Sequence, residues 1–225
     1  MGNRAVITAS RSIFVKGSSD LGVYVHWNGG RDSVEGFLKY CRLQGFRSPE
    51  TDSYGYARLV QVIANFFGGD GLSVGVGRCC DLDCENWDNG VYVIKNWEIV
   101  DRKYFEGREQ QEYALQDMLL SIDEAQPKAM QLGEYFLNAS VVPVEELKAG
   151  DIVYVMSYRG AYELAEVVGI GEDKVVNGTN VSGIPYVDMY GDSSDYSRNI
   201  NNYLRQKEYR VSKIETQRKE DEHDG

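Results

Sequence analysis

The chain has 225 residues, of which 42% are hydrophobic and 12% aromatic, so it can bury one large core or two smaller ones. Its formal net charge is −11, from 35 acidic and 24 basic side chains, and such a surface repels a phosphate backbone. Direct binding of nucleic acid is therefore not expected. No apolar run reaches the roughly 18–20 residues of a membrane span, and no signal peptide opens the sequence, so we expect a cytoplasmic protein without membrane contact.

The first predicted elements are two strands and two helices. Arg4 to Thr8 and Gly22 to Trp27 alternate apolar and polar residues, which is typical of strands. A helix is predicted over about residues 32–44 from four apolar residues at helical spacing, Val34, Phe37, Leu38 and Cys41. A second helix follows Ser48-Pro49 and ends at Gly68-Gly69.

More strands and a third helix complete the first half of the chain. Leu72 to Val76 is a glycine-spaced strand, and the Asn-Gly pair of Asn89-Gly90 predicts a type I′ hairpin turn. Trp97 to Tyr104 reads as one further strand. A third helix is predicted from apolar residues at helical spacing, Leu115, Met118, Leu119 and Ile122. Residues 1–126 are therefore expected to form an N-terminal α+β domain with a mixed sheet and about three helices.

The second half of the chain has a different pattern of residue types. From about Asn138 onward, short apolar strands follow one another at short intervals, broken by Gly, Asn and Asp. The segment Leu147 to Asp151 resembles the entry of an SH3-like barrel. We expect a linker or helix over 127–139, a small SH3-like β-rich domain over 140–214 and a disordered acidic tail over 215–225, so that the whole chain is an α+β protein.

Three clustered cysteines are the sharpest chemical signal. Cys79, Cys80 and Cys84 have the short spacing that lets thiolates share one tetrahedral zinc ion. His26 is the natural additional ligand, because the other histidine lies in the charged tail, and Asp81 and Asp83 are also within reach. The alternative is that these thiols pack under a loop while His26 is merely hydrogen-bonded. Cys41 lies on the apolar stripe of its helix and is expected in the core.

Catalytic motifs are absent from the sequence. It contains no HExxH, no deaminase pairing of H-x-E with P-C-x-x-C, no GxSxG and no phosphate-binding GxxxxGK[ST]. A bound zinc is therefore expected to be structural, and the protein is not expected to be an enzyme. The alternative is a small zinc-dependent hydrolase acting on a nucleotide-like substrate, with Asp81, Asp83 or Glu85 as the base.

A tyrosine- and aspartate-rich segment near residue 190 is the predicted partner-binding surface. Amphipathic tyrosines beside carboxylates suit a basic groove on a partner protein. The alternative is that the tyrosines pack half-buried on strands. The residues of this predicted surface are Tyr186, Asp188, Tyr190, Asp192 and Asp195.

Four segments carry a family resemblance over roughly residues 1–125: MGNRAVIT, VHWNGGRDSVEGFLKY, LDCENWDNGVYVI and NWEIVDRKYFEG. They resemble a group of proteins carried by phages and mobile elements of Firmicutes. Acidic phage proteins of this size resemble anti-defence inhibitors, here a zinc-containing type II-A anti-CRISPR. The resemblance implies a protein of the bacterial host cytoplasm that binds an effector such as Cas9 and blocks its nucleic-acid binding or cleavage. A third possibility is a structural or regulatory phage protein whose second domain is an adaptor.

Overall fold

The structure, a computed structural model, describes residues 2–9, 20–68, 73–105, 109–156, 162–170, 176–180 and 208–212. The chain divides into two compact units, Met1–Gln131 and Leu132–Gly225, and this division falls within the segment assigned to a linker. Each unit contains one five-stranded sheet, and helices accompany both, so the predicted α+β class is confirmed. The tyrosine- and aspartate-rich surface and the acidic tail lie outside the described residues.

The sheet of the first unit is mixed, as the sequence predicted. Strand β1 pairs antiparallel with β2 and parallel with β4, and the outer pairs β2–β3 and β4–β5 are antiparallel. The order across the sheet is β3-β2-β1-β4-β5. The strands are β1 (Ala5–Thr8), β2 (Leu21–Val25), β3 (Val74–Arg78), β4 (Val91–Lys95) and β5 (Glu98–Lys103).

Three helices form the other layer of this unit: α1 (Arg31–Leu43), α2 (Ser53–Phe67) and α3 (Leu115–Ala125). They contact one another, and the layer reaches both edges of the sheet, because α1 contacts β5 and α2 contacts β3. The predicted apolar stripe of α1 is confirmed, since its four residues are buried. In the described part of the chain, none of the helices has the length and apolar character of a membrane span.

The β4–β5 hairpin corrects a predicted turn. The chain reverses at Asn96 and Trp97, whose φ angles of 51° and 61° suit a type I′ turn. The turn predicted at Asn89-Gly90 is wrong, because Gly90 leads directly into β4 and its carbonyl accepts a hydrogen bond from the Val6 N–H. Trp97 is buried, and its indole N–H donates to the Phe46 carbonyl at 2.7 Å. This tertiary contact fixes a turn that the local sequence does not mark.

The described residues of the second unit form an antiparallel sheet and one short helix, α4 (Glu134–Leu137). Arg210 joins the helix to the sheet, because its guanidinium lies 4.8 Å from the Phe136 ring and donates to the Phe136 and Leu137 carbonyls at 2.9 Å. In the part of this unit that the structure describes, a buried apolar cluster is formed by Leu147, Val153, Val155, Ala165 and Val167. An SH3-like barrel stays a prediction. The strands, in the order β6-β10-β7-β8-β9, are β6 (Ser140–Pro143), β7 (Ile152–Met156), β8 (Tyr162–Ile170), β9 (Val176–Asn180) and β10 (Glu208–Val211).

Candidate binding surface at the cysteine loop

The segment that joins β3 to β4, which we call the cysteine loop (residues 79–90), packs on one face of the first sheet. Side chains alternate along a strand, so Val6 shares a face with Tyr24 and Val91, its partners in register. The cysteine loop adds Cys79 and Cys84 to the buried apolar cluster on this face, with Val93 and Leu82 also packed there. The opposite face, which carries the fully buried Ile7 and Val23, is left to the helices.

Two glycines make room for this packing. A Cβ on Gly22 would lie 3.0 Å from the Cys79 sulfur and 3.0 Å from Cδ1 of Leu82. A Cβ on Gly77 would lie 3.3 Å from Cδ2 of Leu82. The glycine spacing of these strands therefore forms a shallow trough that seats Leu82, and a side chain at Gly22 would push the loop outward.

The three clustered thiols occupy different surroundings. Cys79 and Cys84 are buried, and the Cys84 thiol donates to the Cys79 carbonyl at 3.2 Å. Burial raises the pKa of Cys84 to about 11 and also raises the pKa of Cys79, so in the metal-free protein both are neutral thiols at pH 7. Cys80 is exposed, with its sulfur 3.6 Å from the Asp81 carboxylate. Cys41 is buried in α1, as expected of a core residue.

His26 lies away from the start of the cysteine loop. The Cys79 N–H bonds to the Asp20 carbonyl before β2, whereas the His26 N–H bonds to the Ser73 carbonyl before β3. The two residues therefore stand at opposite ends of the β2–β3 pair, roughly 17–20 Å apart by strand rise. His26 Nδ1 instead lies 3.1 Å from the Tyr24 hydroxyl.

The structure thus does not bring His26 together with Cys79 as the zinc hypothesis expected. Among the residues that the structure describes, no group of three or more His, Cys, Asp or Glu side chains is placed to hold a metal. Asp81, one of the bases proposed for a hydrolase, is paired with Arg78 at 2.7 Å. Structural zinc stays a prediction, to be tested by metal analysis.

One buried amide organises the second half of the cysteine loop. The fully buried Asn86 donates through Nδ2 to the carbonyls of Asp83 at 3.0 Å and Gly90 at 3.2 Å. Its Oδ1 accepts from the backbone N–H groups of Asp88 at 3.1 Å and Gly90 at 3.0 Å. The backbone of residues 83–90 is therefore folded around a single side chain, which defines its conformation.

Trp87 is the residue that this arrangement presents to solvent. Its φ of 60° lies in the left-handed region, which is uncommon for a bulky residue, and 72% of its surface is exposed. Trp87 is not among the functional residues predicted from the sequence, because no periodicity or motif marks it. The only local signal is an indole set among polar residues in the run from Glu85 to Asn89.

Arg4 ties the cysteine loop to the beginning of β1. Its Nε lies 2.7 Å from the Asp88 carboxylate, and its Nη1 lies 3.4 Å from the Asp83 carboxylate. His26 and Trp27 are at this same end of the sheet, because Ala5, next to Arg4, pairs with Val25. Trp27 is 46% exposed and its ring packs edge-on to His26, with centroids 4.9 Å apart. An aromatic and acidic surface therefore surrounds the start of β1.

A second polar cluster joins α1, β4 and β5. The Arg102 side chain is only 8% exposed and lies 3.4 Å from Glu109, which also binds Arg31. Both guanidinium groups stand over the Tyr92 ring, at 5.6 and 5.9 Å from its centroid. With Glu35 also bound to Arg31, two cations face two carboxylates. Because the charges balance, we interpret this cluster as a structural ion-pair network that joins α1 to β4 and β5.

No protein-family model matches the chain, and no match to it is found among curated proteins or solved structures. Fold and site define a two-unit α+β protein whose first unit presents an acidic, hydrogen-bonded loop with an exposed tryptophan. A fold does not by itself imply a function, so the function lies in the chemistry of this surface.

Proposed function

We propose that the protein acts by binding a basic protein partner rather than by catalysis. The partner class is a nucleic-acid-handling effector of bacterial defence, with Cas9 as the first to test, and the outcome is a block of its nucleic-acid binding or cleavage. The observation that carries this proposal is the net charge of −11. Proteins that hold nucleic acid present basic channels, and an acidic protein competes for them and is steered toward them electrostatically.

The placement of the carboxylates supports this proposal. Among the Asp and Glu side chains whose burial the structure describes, only Asp32 and Asp123 are buried. Asp32 accepts from the backbone of residues 112 and 113, and Asp123 accepts from the Tyr40 hydroxyl at 2.7 Å, so both have structural roles. The other carboxylates whose burial the structure describes are exposed or half-buried. Exposed ion pairs are worth little, so these groups can be recruited by a partner at low cost.

The hydrolase alternative has no observation of its own in its favour. Such an enzyme needs a metal with an open position beside a general base. The described residues of the cysteine loop instead pack apolar groups and neutral thiols on the sheet. Binding is therefore the function that the surface supports best.

The test is a DNA-cleavage assay with Cas9 and guide RNA, together with a binding titration at several salt concentrations. We expect stoichiometric inhibition without turnover, and a complex that weakens as salt rises from about 50 to about 300 mM, because surface charge is screened. Absence of both binding and inhibition at low salt would refute Cas9 as the partner.

The partner-binding surface predicted from the sequence is tested with a separate variant. Replacing Asp188, Asp192 and Asp195 together with Asn removes three carboxylates at nearly constant side-chain size, and it is expected to reduce inhibition. Full inhibition by this triple variant, in a complex insensitive to salt, would exclude that surface while leaving inhibition itself established.

A further inference from the structure

Two of the three tryptophans are exposed at one end of the first unit. Trp87 is 72% exposed and Trp27 is 46% exposed, whereas Trp97 is buried at 5%. The exposed pair share the end of the sheet where β1 begins, because Asp88 binds Arg4 and His26 stands across from Arg4 in the strand register. Exposed aromatic groups gathered at one place mark interaction sites more often than scattered ones do.

The backbone on either side of Trp87 is held in position by hydrogen bonds. Its neighbour Asn86 is fully buried and fixes the loop backbone through four hydrogen bonds. A residue whose backbone is already ordered loses less conformational freedom on binding, which suits an interface anchor. The left-handed backbone of Trp87 is unfavourable for its side chain, so the loop keeps this residue outward against a local cost.

The charges around Trp87 select the partner. The cysteine loop contains four carboxylates and neither Lys nor Arg. Three of the four are paired with Arg78 or Arg4, whereas no ion pair within the described residues involves the exposed Glu85. A guanidinium can stack on an indole while it hydrogen-bonds a carboxylate beside it, but a phosphate would be repelled here.

We propose that this end of the first unit, with Trp87 as anchor and Trp27, Asp83 and Glu85 around it, binds an arginine-bearing segment of a basic protein. The inference rests on the proposed function, because it names the surface on which the basic effector is engaged. It differs from the sequence-based prediction, which placed the contact near residue 190.

The first experiment uses an oligo-arginine peptide as the probe, with binding followed by calorimetry. Trp87→Ala is expected to weaken peptide binding at least about tenfold, since it removes the anchor. Trp87→Phe is expected to bind more tightly than Trp87→Ala but less tightly than wild type, because phenylalanine makes a weaker cation–π interaction than tryptophan. Tyr54→Ala is the matched control, because Tyr54 is an aromatic residue of the same unit that is 65% exposed on a different element, α2. Oligolysine of the same length is expected to bind more weakly than oligo-arginine.

Equal peptide affinity of Trp87→Ala and wild type, with circular dichroism showing both folded, would overturn the inference. A Cas9 inhibition assay on wild type and Trp87→Ala distinguishes failure of this surface from failure of the proposed function. If wild type and Trp87→Ala inhibit equally, the surface is wrong and the inhibitory function stands. If oligo-arginine binds through Trp87 but Cas9 is not inhibited, the surface stands and Cas9 is refuted as the partner of the proposed function.

Discussion

Asn86→Ala should be among the most damaging substitutions in the cysteine loop. The change removes four hydrogen bonds, each with a net value of about 1 kcal/mol. Water can replace part of this loss at Asp83 and Asp88, and the Gly90 carbonyl keeps its bond from the Val6 N–H. The Gly90 N–H loses its side-chain acceptor inside the protein, which alone costs about 1–3 kcal/mol. We expect the free energy of unfolding to fall by about 2–4 kcal/mol.

The assay is urea unfolding followed by tryptophan fluorescence. All three tryptophans lie in the first unit, so the signal reports on the unit that contains Asn86 and not on the second unit. Glu85→Ala is the matched control, because it shortens the exposed neighbouring side chain and should change stability by less than about 0.5 kcal/mol. Asn86→Asp should also lower the free energy of unfolding, since it keeps the acceptor oxygen but places a carboxylate against the carbonyl oxygens of Asp83 and Gly90.

A loss below about 1 kcal/mol in Asn86→Ala would refute the reasoning. It would mean that the loop keeps its conformation through apolar packing alone. The same variant should also weaken oligo-arginine binding if Trp87 depends on Asn86 for its position, which links the stability and binding measurements.

Three further predictions concern the same loop. In protein purified without chelator, the zinc hypothesis predicts about one zinc per chain by elemental analysis, lost in Cys84→Ser together with thermal stability; no zinc in either protein would reduce the cysteines to core packing. In metal-free protein, the free energy of unfolding should fall as pH rises from 9 toward 11. Folding raises the pKa of the Cys84 thiol from 9.0 to about 11, so the thiol ionises first in the unfolded chain and stabilises that state. Cys84→Ala should make this decline shallower, as measured by urea unfolding at alkaline pH. Gly90→Ala should cost more than about 3 kcal/mol in thermal unfolding, since its Cβ would lie 2.2 Å from the Lys103 carbonyl oxygen at a φ of +70°; wild-type stability would show that the backbone shifts freely there.

The side chains of the cysteine loop fall into two groups with different roles. Its apolar and thiol side chains hold the loop on the sheet, whereas Asp81, Asp83, Glu85 and Trp87 are exposed to solvent. Removing the first group should unfold or displace the loop, whereas removing the second should leave the fold intact and change binding. This contrast allows stability and partner recognition to be measured with separate variants.

The sequence by itself determined the α+β class and the helices of the first unit. The apolar residues of α1, such as Phe37 and Cys41, repeat with the helical period, and all four predicted stripe residues are buried. In α3, Met118, Leu119 and Ile122 are buried for the same reason. These predictions succeed because burying one face of an element leaves a periodic pattern in neighbouring residues, which is local information.

Only the tertiary structure decided the turns and the site. The β4–β5 turn depends on Trp97, whose indole bonds to a carbonyl some fifty residues earlier. The spacing of the cysteines suggested a shared metal, but the separation of Cys79 from His26 follows from the strand register. The outward position of Trp87 depends on the burial of Asn86 under its own loop. Contacts between residues distant along the chain leave no period in the sequence, so the fold had to be known before these features could be seen.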